Sequence, residues 1–306
     1  MEEVYQKMAF ESLQEIVTIC EKEHKSFYEI ILESDCDERK VTKEDSLKQM
    51  ENTWDAILLA ASTYEKNLVS ASGLVGKDGY KMELFADKEN TKSLCGSYMN
   101  QVMTYALQMG ESNACMKRIV AAPTAGSCGV LPAVLVPYFI EKKADTPKII
   151  EAMYVSAGIG QIIATRASIS GAEGGCQAEI GSASAMAAGA LVYLQGGDSK
   201  QIIHAAAISL KSLLGLVCDP VAGLVEVPCV KRNVIGAVNA MSSCDMAMAG
   251  IISRIPPDQV IDAMKEVGDK MDVSLRETGK GGLAATNEAQ RITEAISHSQ
   301  MDLSLK

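Results

Sequence analysis

The sequence is short of aromatic residues and of positive charge, and both shortages narrow what the protein can be. Phe, Trp and Tyr make up 5% of the 306 residues, whereas hydrophobic residues as a whole make up 47%. Because large rings are scarce and small residues are abundant, we expect a core of helices that pack through close backbone contacts. The formal net charge of -10 would repel the phosphates of nucleic acids and of anionic membranes. The composition therefore argues against a nucleic-acid partner and against membrane binding.

The sequence also argues against a targeting signal and against a disulfide framework. The N-terminal stretch "MEEVYQKMAFESLQEIV" opens with two acids and has no basic region followed by an apolar run, so it resembles neither a secretory signal nor a transit peptide. The nine cysteines are an odd number spread along a fairly large chain, which argues against paired disulfides. We expect a cytoplasmic protein whose thiols are reduced or bound to a metal.

One uncharged run has nearly the length of a membrane span. It extends from Ile180 to Gly197, against the roughly 20 residues that a span requires. Its side chains are mostly Ala, Ser and Gly, which gain little from transfer into lipid. The composition favours a central helix that neighbouring helices contact on all sides.

The spacing of apolar residues predicts an all-α fold, because no segment shows the alternation of a strand ladder. Charged amphipathic patterns cover residues 2–33 and 47–68, and a further helix is predicted over residues 93–112. Asp198 is a predicted N-cap, and Pro257 suits a first helical turn. We expect residues 1–70 to form a peripheral helical layer and residues 71–306 a helical catalytic domain, together one continuous domain. The later predicted helices cover residues 148–167, 177–195, 199–216, 230–252 and 257–271.

Three cysteines occupy predicted helix boundaries next to Gly or Pro. Cys176 lies in "GAEGGCQAEIGSAS", and Cys218 and Cys229 begin and end "CDPVAGLVEVPC". A helix that starts near Gln177 would direct its positive end at Cys176, which predicts an ionised thiol there. Cysteine is also among the most frequently buried residues, so simple core packing remains an alternative.

The spacing of these cysteines limits the kinds of metal site. They are separated by 42 and 11 positions, with no close Cys-x-x-Cys pair and no neighbouring His, which fits a zinc site or a redox dithiol poorly. Three thiolates from distant loops suit an iron–sulfur cluster, whose fourth iron can stay open to bind a substrate oxygen.

Four segments resemble the alpha chain of iron–sulfur-dependent L-serine dehydratases. They are "AAPTAGSCGVLPAVL", "SISGAEGGCQAEIGSASAMAAGAL", "CDPVAGLVEVPCVKRN" and "RETGKGGLAAT", and the resemblance covers about residues 70–285. It implies an all-α catalytic domain in which Cys176, Cys218 and Cys229 hold a [4Fe–4S] cluster. It also implies β-elimination of water from L-serine to give pyruvate and ammonia, with an open iron as Lewis acid and without pyridoxal phosphate.

The general base for this reaction has no obvious candidate in the chain. His is the usual choice, but His24, His204 and His298 all lie outside the glycine-rich and cysteine-bearing motifs. We expect His24 and His298 to be solvated and His204 to be a helix residue with a structural partner. In the resembling family, histidine-bearing motifs belong to a second domain or to a separate beta chain, so we expect a separate beta subunit that completes the site.

Polar residues within the motifs are candidates for binding the substrate carboxylate or for supporting the site. The segment "APTAGSCG" suits either substrate binding or the capping of a helix, and the guanidinium of an arginine suits a substrate carboxylate or a structural salt bridge. Cys128 is expected to be packed and not a ligand. The candidates are Thr124, Ser127, Ser168, Ser170, Arg232, Asn233 and Lys280.

Two features depart from the family pattern. Lys77 in "GLVGKDGY" stands where a second glycine is expected, and the C-terminal "MDLSLK" offers no cysteine to the fourth iron. The resemblance leaves L-threonine or L-cysteine open as substrates, because one methyl group or one sulfur changes binding by only about 1–3 kcal/mol. A catalytically silent helical binding subunit is the alternative from another class.

Overall fold

Helices supply the regular structure, as the apolar spacing predicts. The computed structural model describes residues 10–86 and 93–304, and within them it contains thirteen α-helices. Extended pairing in these residues is limited to two isolated bridges, Val69 with Gly76 and Cys218 with Arg276. The all-α prediction is therefore confirmed.

Three helices form the first part of the chain: α1 (Leu13–Glu23), α2 (Phe27–Arg39) and α3 (Lys43–Ser62). The hydroxyls of Ser12 and Thr42 cap α1 and α3 by accepting the backbone N–H groups three residues further on, at 3.0 and 3.1 Å. These caps place α3 about four residues earlier than the predicted helix at 47–68. Residues 2–9 of the predicted 2–33 helical region lie outside the described residues.

The middle of the chain begins with α4 (Asp78–Ala86) and α5 (Gly96–Ala114). Lys77, immediately before α4, adopts a left-handed conformation with φ of 64°. The fully buried carboxylate of Glu111 caps α4, since it accepts the N–H groups of Asp78 at 2.7 Å and Gly79 at 3.2 Å. A glycine, which the family pattern has at this position, would adopt this conformation without steric strain. The lysine at position 77 therefore carries a backbone cost that a glycine would not.

The remaining helices are α6 (Val130–Glu141), α7 (Thr146–Arg166), α8 (Gly171–Gly174), α9 (Ser182–Leu194), α10 (Ser199–Lys211), α11 (Cys229–Met248), α12 (Pro257–Lys270) and α13 (Asn287–Ser304). The helix α9 is central: all thirteen of its residues are buried, and it contacts α6, α7, α10 and α11. The small side chains permit this close approach, and the Ser184 hydroxyl donates to the Gly236 carbonyl of α11 at 2.6 Å. The prediction of a central helix is confirmed, and no described helix is long and apolar enough to cross a membrane.

The predicted start signals are confirmed, whereas several predicted ends are wrong. Asp198 accepts the Gln201 N–H at 2.8 Å, and Pro257 is the first residue of α12. The predicted helices at 199–216 and 230–252 stop at Lys211 and Met248, ahead of Gly215 and Gly250, both with φ of 84°. The predicted helix at 177–195 begins instead with a wider π turn over Gln177–Gly181.

The apolar core extends through the N-terminal helices as well as the later ones. Its buried residues run from Phe10 to Met264, and its largest fully buried side chain is Trp54 of α3. The helices α1 and α2 contact α10 and α7, respectively. The N-terminal helices thus share one apolar core with the helices that flank the cysteine segments.

Candidate functional site

The turn that carries Cys176 is fixed by the amide of the next residue. Gln177 is fully buried, and its side chain donates to the Met264 carbonyl of α12 and accepts the Gly215 N–H, both at 2.9 Å. Its backbone N–H donates to the Leu216 carbonyl at 2.9 Å. Gln177 therefore ties the Cys176 turn to the segment that leads directly into Cys218.

Cys218 lies in a short extended segment beside the "RETGKGG" loop. Its N–H donates to the Leu275 carbonyl and its carbonyl accepts the Glu277 N–H, both at 2.8 Å. Cys229 is the first residue of α11, as its position after Pro228 predicts. The site is thus assembled from three chain segments and from one loop that comes much later in the sequence.

The three thiols are largely buried and lie within electrostatic range of one another. Burial raises the pKa of Cys176 to about 11 and that of Cys229 to about 12, and it also raises the pKa of Cys218. The Cys176 thiol adds to the increase in pKa at both other cysteines. The predicted lowering of the Cys176 pKa at the helix start is not found, because burial outweighs the lowering by the Arg232 charge and by the Ile180 N–H.

An ion pair lies among the three cysteine segments. Arg232, in the first turn of α11, donates to the Asp219 carboxylate at 2.8 Å and to the Val217 carbonyl at 2.7 Å. The Arg232 charge also lowers the pKa of the Cys176 thiol, which places the two groups near each other. The sequence left two roles open for Arg232. The structural salt bridge is present, and binding of a substrate carboxylate stays a prediction.

A second carboxyl faces the cysteines from the π turn. The Thr124 hydroxyl donates to Glu179 Oε1 at 2.7 Å. A Cβ at Gly171 would lie 2.8 Å from Glu179 Oε2 and 3.2 Å from Cys218 Sγ, so only glycine leaves room for both groups. Burial raises the pKa of Glu179, the Thr124 hydrogen bond lowers it, and the Glu277 charge raises it further.

The predicted "APTAGSCG" residues form a tight turn against α11. The hydroxyls of Thr124 and Ser127 are 3.1 Å apart. Asn233 binds this turn through its amide, which accepts the Gly129 N–H at 2.8 Å and donates to the Gly126 carbonyl at 2.9 Å. Asn233 thus positions the turn, and substrate binding by these three residues stays a prediction. Cys128 is packed as expected, with 1% of its surface exposed.

The remaining candidates lie beside the Cys176 turn or in the "RETGKGG" loop. The Ser168 hydroxyl donates to Glu173 at 2.7 Å, and the Ser170 carbonyl accepts N–H groups of α8. Ser168 lines a cavity of about 310 Å³ together with Gln177 and Arg276. Lys280 is exposed at the tip of its loop. Substrate binding by Ser168, Ser170 and Lys280 stays a prediction.

The histidines occupy other parts of the fold. His24 ends α1 and His298 lies in α13, and both are exposed as expected. His204 lies in α10, but its buried Nδ1 atom has no hydrogen-bond partner among the described residues, so the expected structural partner is wrong for that nitrogen. Burial lowers the pKa of His204.

The three cysteines of this site are a donor set of soft thiols. Within residues 10–86 and 93–304, no group of three His, Cys, Asp or Glu side chains is arranged to hold one metal ion. A four-iron cage holds its cysteine ligands further apart than a single ion does, and soft thiolates are the ligands that iron–sulfur clusters prefer. Three largely buried thiols from separate segments, within electrostatic range of one another, are donors of the kind that such a cage requires.

Sequence reasoning missed three residues that organise this site: Gln177, Glu179 and Asp219. The roles of Gln177 and Asp219 depend on long-range partners that spacing cannot reveal. Glu179 did leave a signal, since it is the sole charged residue between Gly174 and Gly197. A lone carboxyl in a run of small and apolar residues is costly to bury, which marks it as a candidate functional group.

Comparison with known proteins gives the same family as the motifs. The sequence profile described as "Serine dehydratase alpha chain" matches residues 22–284. The chain is 43% identical over 287 residues to a probable L-serine dehydratase alpha chain of Bacillus subtilis, covering 94% of this chain and 95% of that protein. It is 43% identical over 281 residues to the L-serine dehydratase alpha chain of Peptoniphilus asaccharolyticus, covering 91% and 95%.

A longer relative matches over a part of its length. The chain is 47% identical over 182 residues to an L-serine dehydratase of Escherichia coli, which covers 59% of this chain and 40% of that protein. Matches along almost the whole chain, together with a profile that spans most of it, identify the group. The chain belongs to the serine dehydratase alpha chain family.

Proposed function

We propose that the chain is the alpha subunit of an iron–sulfur-dependent L-serine dehydratase, which eliminates water from L-serine to form pyruvate and ammonia. The observation that carries the proposal is the grouping of three largely buried cysteine thiols from separate segments, in a family whose relatives are named as L-serine dehydratases. The reaction belongs to amino-acid degradation, and we place it in the cytoplasm. A pyridoxal phosphate cofactor is not part of this proposal.

Cys176, Cys218 and Cys229 would hold a [4Fe–4S] cluster at three corners. When bound, the cluster would supply a Lewis acid that stabilises the negative charge developing on the departing serine oxygen. The thiols must lose their protons to bind iron, and their raised pKa values mean that metal binding supplies the free energy for that loss. We therefore expect the three cysteines to be thiolates only in the protein that holds the cluster.

Glu179 would bind the ammonium group of the substrate. A buried carboxyl normally has a cation partner, yet in the described part of the chain the nearby guanidinium of Arg232 pairs with Asp219. The groups that shift the pKa of Glu179 include no cation. A zwitterionic amino acid held at the cysteines would supply the missing positive charge, while the Thr124 hydroxyl keeps the carboxyl oriented.

The general base would come from a separate beta subunit. The relatives from Bacillus subtilis and Peptoniphilus asaccharolyticus are named alpha chains, and the longer Escherichia coli protein has sequence beyond the match. The histidines of this chain lie on α1, α10 and α13, outside the cysteine segments. We also propose that residues 1–306 form one domain, supported by the core that runs from Phe10 to Met264.

The test is pyruvate formation from L-serine in the absence of oxygen, with the chain alone and with the neighbouring beta polypeptide. The proposal predicts activity only in the mixture, and loss of that activity when any of the three cysteines is replaced by serine. L-threonine and L-cysteine, assayed in parallel, report the substrate preference. An iron-free mixture that is inactive on all three amino acids would instead favour a silent binding subunit.

A further inference from the structure

Arg232 lies close to all three cysteines. It is one helical turn after Cys229 on α11, it donates to the Val217 carbonyl next to Cys218, and its charge is close enough to interact with the Cys176 thiol. Few side chains can make such a set of contacts, because the guanidinium offers five donors in a rigid plane.

The partner of Arg232 extends this connection to a fourth segment. Asp219 Oδ1 accepts from Arg232 at 2.8 Å, and Asp219 Oδ2 accepts the Leu283 N–H at 2.8 Å. The side chains are 15% and 4% exposed, so the pair is shielded from water. The two residues thereby link α11, the Cys218 segment and the loop at residues 275–285.

From this geometry we propose that Arg232, held by Asp219, is a positioning residue that keeps the segments of Cys176, Cys218 and Cys229 in the register that accepts the cluster. The inference rests on the proposed function, but it concerns the chain's own side chains and does not require Arg232 to touch the substrate. It is separate from the substrate-carboxylate role that the sequence predicts for Arg232, which stays a prediction.

The chain offers a matched control for this role. Arg166 on α7 also binds an aspartate and a backbone carbonyl, with 2.8 Å from Nη2 to Asp262 Oδ2 and 3.1 Å from Nη1 to the Glu11 carbonyl. The variant R166M removes the same kinds of contact from a position outside the cysteine segments. R232K keeps the positive charge of the proposed residue but loses the planar fork.

Two measurements on the full chain, prepared without oxygen, test the proposal. The first is the half-time for a chelator to remove iron after reconstitution with ferrous iron and sulfide. Removing residues that orient metal ligands usually weakens metal binding about 10- to 100-fold, so we expect R232M to shorten the half-time by about that factor. We expect R232K to fall between R232M and the unmodified chain, and R166M to match the unmodified chain.

The second measurement is hydrogen exchange in the iron-free chain, which does not depend on the cluster. R232M should accelerate exchange at residues 215–219 and 275–285 by about tenfold or more, with R166M unchanged there. If R232M does not fold, iron removal and hydrogen exchange are measured on D219N and R232K instead, with the same expected direction of change. Unchanged exchange in these segments, or a cluster that R232M retains as long as the unmodified chain, would overturn the role of Arg232. An unmodified chain that takes up no iron would refute the proposed function, while exchange would still decide the role of Arg232.

Discussion

Replacing Gly282 by alanine perturbs the site without touching a cysteine. Gly282 has φ of 58°, and an added Cβ would lie 2.7 Å from the Asp219 Cβ, inside any normal contact distance. The left-handed backbone costs an alanine about 1–2 kcal/mol. Forcing a methyl group against a well-packed side chain costs typically about 1–3 kcal/mol more. We therefore expect G282A to lower the free energy of unfolding by about 2–5 kcal/mol.

Gly196, just after α9, provides the matched control. It has φ of 80°, and no heavy atom lies within 4 Å of the Cβ that an alanine would add. Because G196A carries a similar backbone cost and the same change in the unfolded chain, the difference between the two variants isolates the contact with Asp219. We expect G282A to be less stable than G196A by about 1–3 kcal/mol.

Urea unfolding of the iron-free chain, followed by circular dichroism, measures this difference directly. Iron retention by the reconstituted proteins provides a second measurement, since G282A would displace Asp219 and with it Arg232. Equal free energies of unfolding for the two variants would refute the reasoning, because they would mean that the loop at Gly282 is not packed against Asp219.

Three further predictions concern other buried or strained groups. E111A should lower the free energy of unfolding by about 3 kcal/mol or more in urea, because it leaves two backbone N–H groups and the Tyr64 hydroxyl without their acceptor; a loss below about 1 kcal/mol would count against it. K77G should raise the free energy of unfolding by up to about 1 kcal/mol, since it removes the strain of a left-handed lysine but increases the conformational entropy of the unfolded chain. A thermal midpoint well below that of the unmodified chain would contradict this prediction. E179Q should raise the KM for L-serine about 10- to 100-fold in anaerobic assays with the partner, because it removes a charge-assisted hydrogen bond, while iron content stays the same; an unchanged KM would exclude Glu179 from ammonium binding.

The sequence was sufficient to predict features that depend on local chemistry. The all-α class followed from spacing, the cap at Asp198 from its side chain, and the central position of α9 from its Ala, Ser and Gly residues. Each of these features is fixed by residues close together in the chain. Local rules therefore recover them without knowledge of the tertiary structure.

The features that could not be predicted depend on contacts between distant residues. The end of α10 lies at Lys211 because the following residues turn toward Gln177 and then pair Cys218 with residues 275–277. The raised pKa of Cys176 follows from burial by several segments, which a local dipole argument does not include. The Arg232–Asp219 ion pair could not be predicted either. A sequence motif shows that two residues are near in the chain, but it does not show which atoms they bind.

The most direct measurement of the central claim is iron and acid-labile sulfide content after anaerobic reconstitution of the full chain. Serine variants of Cys176, Cys218 and Cys229 are compared with C244S, which replaces another buried cysteine, on α11. The account predicts about four irons and about four sulfides per chain in the unmodified protein and in C244S. It predicts a marked loss of both in each of the other three variants. An unmodified chain without iron, or three cysteine variants that load as fully as C244S, would contradict it.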